Sequence, residues 1–337
     1  MTTQYLRQFS LIVATAAGNG LELGSLRCTF NIRRGDIQTP NTCDARIYNL
    51  STNTANLIAS PEFTQLQVKV GYGATSNLAL IFAGSLKQVR LGREDQKNSY
   101  VDLTAADGDQ AYNFSSLALT LAAGTATPLT QVQAFIAAMA KQALGSPTGK
   151  PGGQTVSAGY IPALSTNAPP RGRTFFGGAK DELRDFANNN DCKWSIQDGK
   201  LCLIPNTGYI VGADPVLITP ATGLIGVPEQ TQNGLGIRTL LNPALKIGQR
   251  IQLQSSNINQ YRYGLDTLSV AQQKYTQAVL STAADGVYYI MRASHSGDTR
   301  GNDWYTDLVC LSCDAAIPTE TVKTQGAIAP ANAVPRY

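Results

Sequence analysis

The amino-acid sequence predicts a mainly β protein with α+β insertions. Three observations carry this: short runs near both ends alternate apolar and polar residues, two stretches in between have helical periodicity, and an aperiodic Gly/Pro-rich loop lies among them. At 337 residues, 43% of them hydrophobic, the chain is long enough for two or three domains with cores of their own.

The first third reads as antiparallel strands broken by turns. Leu66–Tyr72 alternates, Leu78–Ala83 is a short buried run and Ser99–Thr104 alternates again. Between the first strands, Ser51 is placed to cap a short helix presenting Leu57 and Ile58. A longer helix starts at Thr127-Pro128, a capping residue before a first-turn proline. It carries Val132, Phe135, Ile136, Met139 and Ala143 on one side and stops at Gly145. Residues 145–173, rich in Gly, Pro, Ser and Thr, read as a long loop. A second helix runs from Asp181 to Asn188 with Leu183, Phe186 and Ala187 aligned, and it leads into a hairpin over 193–204 with its turn at Asp198-Gly199. That turn sets Gln197 opposite Lys200, Ile196 opposite Leu201, Ser195 opposite Cys202 and Trp194 opposite Leu203, so Cys192 is out of register for a disulfide with Cys202.

Strands return after Pro205, at Leu235–Leu241, Gln249–Gln254 and Val287–Arg292, with residues 267–281 read as a helix or an inserted arm. Residues 317–337, rich in Ala, Pro and Thr, read as an extended tail. The expected domains are therefore 1–110 (β), 111–215 (α+β, with the 145–173 loop), 216–316 (β) and the 317–337 tail. No convincing tandem repeat is visible in the sequence itself.

Charge is sparse, 15% of residues with a net +4, which gives no basic surface for specific nucleic-acid binding. No run of eighteen apolar residues occurs and no basic region precedes the short apolar stretch near residue 12, so neither a membrane anchor nor a secretory signal is expected.

Cys310 and Cys313 form a CxxC, but on a strand residues three apart point to opposite faces, and the six cysteines are read as reduced and mostly structural. Gly145–Lys150 is one residue short of a phosphate-binding loop and has Pro151 where Ser or Thr would hold magnesium. His295, beside Asp298 and Asp303, has no recognisable nucleophile partner and reads as part of a Gly/Asp/Asn-rich turn. Asp107 and Asp109, with Glu94 and Asp95, lack the spacing of a calcium loop and read as a solvated turn. No catalytic, cofactor-binding or metal-binding residue is assigned, and no enzyme is expected. A tail-associated receptor- or glycan-binding protein would cluster exposed aromatics. Here aromatics are 7% and scattered, apart from Tyr261 with Tyr263 and Tyr288 with Tyr289. A peptidoglycan-degrading tail lysin would need two carboxylates across a cleft, and no compact Glu-bearing helical module is seen.

Several segments, in order along the chain, resemble the baseplate hub proteins of contractile-tailed bacteriophages, the tail-hub family of Mu-like and related myophages. They are Pro40–Ser51 (the family's PNTARIRIYNLS stretch), Gly71-Tyr72, Leu80–Gly84, Leu103–Asp109, Thr219–Glu229 with Leu240–Pro243 and Ile247-Gly248, and His295–Trp304. The resemblance spans about residues 5–313, and residues 255–285 depart from it. It implies two tube-like antiparallel β-barrel or sandwich domains with a middle α+β domain, and a virion protein assembled in the host cytoplasm. The state it implies is a homotrimer between the sixfold tail tube (or a tube-initiator protein) and a threefold central spike, in contact with other baseplate proteins. It transfers no catalytic residue, and it gives Pro228 and Pro243 the role of rigid corners. Duplication to match a sixfold tube would give the two β-rich ends similar folds.

Overall fold

The computed structural model describes residues 5–73, 77–143, 154–206, 209–210, 214–231, 234–253 and 286–313. Its first third holds β1 (Arg7–Thr15), β2 (Gly20–Glu22), β3 (Cys28–Gly35), β4 (Thr42–Tyr48), α1 (Thr52–Ile58), β5 (Phe63–Tyr72), β6 (Ala79–Arg93) and β7 (Ser99–Ala106). The middle holds α2 (Asp109–Phe114), β8 (Ser116–Leu121), α3 (Pro128–Ala143), β9 (Ser157–Ala158), β10 (Arg173–Gly178), α4 (Ala179–Asn189), β11 (Cys192–Gln197) and β12 (Lys200–Pro205). The last part holds β13 (Val216–Leu217), a 3-10 turn at Pro220–Thr222, β14 (Leu224–Thr231), β15 (Gly234–Leu240), β16 (Arg250–Gln252), β17 (Val287–Asp298) and β18 (Trp304–Ser312). The fold is mainly β, in large antiparallel sheets with few helices.

One 13-stranded sheet takes in strands from both ends of the chain, in the order β14-β15-β18-β17-β3-β4-β7-β6-β5-β1-β2, with β16 also pairing β17 and β13 pairing β16. The two ends meet at β17 and β3, which pair antiparallel from Arg292 opposite Gly35 to Asp298 opposite Thr29. On each strand alternate residues face opposite ways, so Phe30, Ile32, Ala45, Ile47, Val101 and Leu103 are buried on one face while Asn31, Asp44, Arg46 and Asp102 line the other. The first core also takes Leu241 and Trp304 from the last third of the chain. Phe9 stacks on Phe30 at 5.2 Å, and Trp304 meets both rings edge-on at 6.3 and 5.6 Å. Gly297 is required there, because a Cβ at that position would lie 2.6 Å from the Phe30 ring.

A second core joins α2, α3 and α4 to the β11–β12 hairpin and the β8–β10 ribbon, and a third lies under β15 to β18. α3 matches its sequence pattern. The Thr127 hydroxyl accepts from the Thr130 N–H at 3.3 Å, and Val132, Phe135 and Met139 are fully buried. Each such side chain stabilises by about 1.5–3 kcal/mol relative to exposure. The hairpin register is as read from the sequence, with Cys192 opposite Pro205, and all six cysteines are free.

Several expectations needed correction. β6 runs to Arg93 and β17 to Asp298, well past the short apolar runs that marked them, because their distal halves carry the polar alternation of a sheet with one wet face. Ser51 does cap α1, yet only Ile58 is buried and Leu57 is 46% exposed, since the two are successive on a helix and cannot share a face. The 145–173 loop contains β9, parallel to β12, and buries Val156, with Ile161 and Leu164 packed nearby. β8 and β10, six residues each, had not been anticipated. All of 255–285, with the 267–281 helix or arm, Tyr261 and Tyr263, the loop at Gly145–Lys150 and the 317–337 tail lie outside the described residues.

Candidate functional site

The two ends of the sheet share one connectivity. In the first, β3 pairs β4, β4 pairs β7, β7 pairs β6 and β6 pairs β5. In the second, β14 pairs β15, β15 pairs β18, β18 pairs β17 and β17 pairs β16, and every one of these pairings is antiparallel. The match extends to irregularities. β6 carries a bulge between Leu86 and Gln88, and β17 carries one between Ile290 and Arg292. Counted from those bulges, Leu103 faces Val89 in the first unit as Leu308 faces Ala293 in the second. Bulges insert a residue and re-aim the strand, so their coincidence means that the two hairpins bend at the same place.

Side chains repeat on the polar face too. Arg46 makes a bidentate pair with Asp102 across β4 and β7 at 2.7 and 3.1 Å, and lies 4.0 Å over the Tyr100 ring. Arg238 does the same with Asp307 across β15 and β18 at 2.6 and 3.1 Å, 5.5 Å from the Tyr305 ring. Two matched arginine–aspartate–tyrosine stations therefore lie on one face of one sheet, flanking the β17–β3 junction. Sequence reading missed them, although Tyr100-Val-Asp-Leu103 and Tyr305-Thr-Asp-Leu308 share a spacing that signals the repeat.

A buried polar clasp fixes the middle of the chain to this sheet. At the hairpin tip Asp198 (φ +53°) and Gly199 (φ +75°) adopt the left-handed geometry of a tight turn. Their backbone N–H groups donate to the Asp107 carboxylate, Gly199 at 2.8 Å, and Asp107 is fully buried. Asn41 donates to the Ile196 carbonyl at 2.9 Å and to Gln197 at 3.0 Å. The Arg34 guanidinium, also buried, donates to Asp198 at 2.8 Å and to the Ile81 carbonyl at 2.8 Å. Burial, and then the Asp198 carboxylate, push the Asp107 pKa up to about 7, against the pull of the Gly199 and Asp198 amides and of Arg34.

The candidate residues from sequence do not converge. Asp107 and Asp109 are not a solvated turn. Asp107 caps the hairpin and Asp109 pairs with Lys87 at 2.7 Å, while Asp95 caps the Lys97 and Asn98 amides at the far end of β7. His295 is not on the turn but within β17. It is 1% exposed, with Nδ1 2.9 Å from the Thr306 hydroxyl, and burial, then Arg34, pull its pKa down to about 3. Asp298, three residues along the strand, pairs with Arg27 at 2.8 Å instead. Cys310 is buried on β18 and Cys313 lies just beyond it. Tyr288 and Tyr289 are buried in β17 and offer no exposed aromatic surface. Among the described residues no three His, Cys, Asp or Glu side chains gather as a metal site, and no helix is long and apolar enough to cross a membrane.

No family model matches the chain, and no curated protein matches it by sequence. Solved structures do. A 43 kDa tail protein of prophage MuSo2 from Shewanella oneidensis aligns over 91% of this chain and 98% of its own, with a TM-score of 0.54 and 8% identity. A tail protein from Neisseria meningitidis MC58 aligns over 91% and 97%, with a TM-score of 0.52 and 12% identity. The chain has the fold of these two tail proteins. At such identities the likeness is one of backbone arrangement, and it extends over nearly the whole of both tail proteins.

Proposed function

We propose that this chain is a structural baseplate hub of a contractile phage tail, a homotrimer that joins the sixfold tail tube to a threefold central spike. The observation that carries the reading is the pair of like-connected five-strand units fused through β17 and β3. Three chains with two such units each offer six similar surfaces to a sixfold ring while keeping threefold symmetry toward a spike. The tail-protein fold supports the same reading. On this view the partners are the tube or tube-initiator protein, the spike and other baseplate proteins, and the work is mechanical rather than catalytic. The sealed position of His295 accords with that role.

Light scattering on the purified protein, alone and with its spike, together with images of the particles, tests the proposal. The expected result is a threefold mass and a three-lobed ring with a central hole. A monomeric mass under both conditions overturns it, and peptidoglycan cleavage by the pure protein would replace it with a lysin.

A further inference from the structure

We infer that the cleft at the β3–β4 turn is the docking site of this chain's own residues 314–320, whose two carboxylates meet Arg33 and Arg292. The cleft holds about 530 Å³ between the turn and β17, and Ile37, Pro40 and Met291 contribute to a mostly apolar lining. Ile37 is 61% exposed. Arg33 and Arg292 belong to the same lining and are both exposed. Ser294 lies opposite Arg33, and Arg292 is two residues from Ser294, so the two arginines leave one face of the sheet as diagonal neighbours, about 7–8 Å apart. Arg46 and Arg238 on that face each hold an aspartate, yet neither Arg33 nor Arg292 has a carboxylate within ion-pair distance among the described residues. The other charges of the lining are neutralised inside the molecule: Arg34 pairs with Asp198 at 2.8 Å, and the buried Asp36 with Lys193 at 3.3 Å. Two unpaired cations beside an exposed apolar surface suit a segment that is both acidic and apolar.

Reach and charge select the occupant. β18 ends at Ser312, opposite Tyr288, and Met291 lies three residues further along β17, about 10 Å away at strand spacing. The Asp36 N–H donates to the Met291 carbonyl at 3.0 Å, so the turn starts beside that residue. Residues 314–320 lie outside the described residues, and an extended segment of that length spans up to about 23 Å, enough to cross from β18 to the cleft. Asp314 and Glu320 are the only acids of 314–337, whereas its two cations, Lys323 and Arg336, come after them. The acidic part of the segment is therefore the part tethered near the arginines, with Ile317 between the two acids for the apolar lining. Pro318 limits the entropy lost on docking. The docking needs no second copy, so it stands or falls separately from the hub reading.

The test is disulfide trapping in the full chain, with Ile37→Cys and Ile317→Cys introduced together with Cys313→Ser, under mild oxidation. The control pairs Ile317→Cys with Leu217→Cys. Leu217 is also exposed and lies opposite Gln252, itself opposite Val287, whose carbonyl accepts the Cys313 N–H, so a segment with no preferred site would reach it at least as readily. The expected result is a disulfide within one chain for Ile37→Cys, in clear excess over the control. Arg33→Glu with Arg292→Glu should lower that yield about tenfold, and adding Asp314→Lys with Glu320→Lys should restore it. Raising the salt to about 1 M should lower the yield without any charge substitution. Equal yields at Ile37 and Leu217, or a yield indifferent to both charge reversal and salt, overturn the docking. A disulfide joining two chains overturns it as well, by giving the cleft to a neighbour's segment.

Discussion

Asp107 and His295, both buried close to Arg34, should oppose each other as pH changes, and single variants should unmask them. The Asp107 pKa is raised to about 7, so its stabilising contribution is complete below about pH 4 and is lost as pH rises through 7. His295 is lowered to about 3, so its contribution is complete above about pH 6.5 and is lost as pH falls toward 3. Between pH 5 and pH 8, linkage gives a loss of about 3 kcal/mol toward pH 8 from Asp107 and about 2 kcal/mol toward pH 5 from His295, so wild type should change little. Asp107→Asn also leaves one of the two hairpin N–H groups facing an amide N–H₂, a cost of about 1–3 kcal/mol at every pH. The assay is chemical denaturation at pH 5, 6.5 and 8, reading each variant against wild type so that other titrations cancel. Asp107→Asn should lose stability toward pH 5 and His295→Gln toward pH 8. If the Asp107→Asn profile runs parallel to wild type across this range, Asp107 titrates as an ordinary carboxylate and the account of the clasp is wrong.

The remaining expectations follow from burial. Arg34→Ala strands the Asp198 carboxylate beside Asp107 and should cost about 3–5 kcal/mol, whereas Arg238→Ala, breaking a bidentate pair at the surface, should cost no more than about 1 kcal/mol; thermal melts compare them. Gly199→Ala meets the Gln154 side chain at 2.6 Å and the Thr155 carbonyl at 2.9 Å at a positive φ, and should lower stability by at least about 1 kcal/mol on denaturant titration. His295→Ala, harmless if the residue stood on a solvated turn, should instead lose about 2–4 kcal/mol through a cavity and the loss of the ring's hydrogen bond to the Thr306 hydroxyl, which keeps the Asn242 N–H at 3.3 Å.

What sequence could convey followed the range of the interactions involved. α3, α4 and the Trp194 hairpin were legible because capping, periodicity and an Asp-Gly turn are local, and the hairpin register then follows from two residues. The polar halves of β6 and β17 were not: that of β6 pairs with β7 through largely exposed residues that carry little apolar signal, and that of β17 pairs with β3, far away in the chain. Asp107 shows the limit most clearly. Its Asp-Gly-Asp context suits a wet turn, and only the arrival of a hairpin tip some ninety residues later converts the carboxylate into a buried cap.

The same contrast explains why the repeat escaped notice. Its two copies share a Tyr-x-Asp-Leu string and little else, since a sheet with one wet face constrains only alternation, and many residues satisfy alternation. What is held in common is the pairing order and the position of a bulge, and neither leaves a residue-type signature. A single station would be an ordinary surface ion pair of small worth. Two stations in matched register on one continuous sheet mark the repeat, because each ties the same two strands, β4 to β7 and β15 to β18, within its own unit.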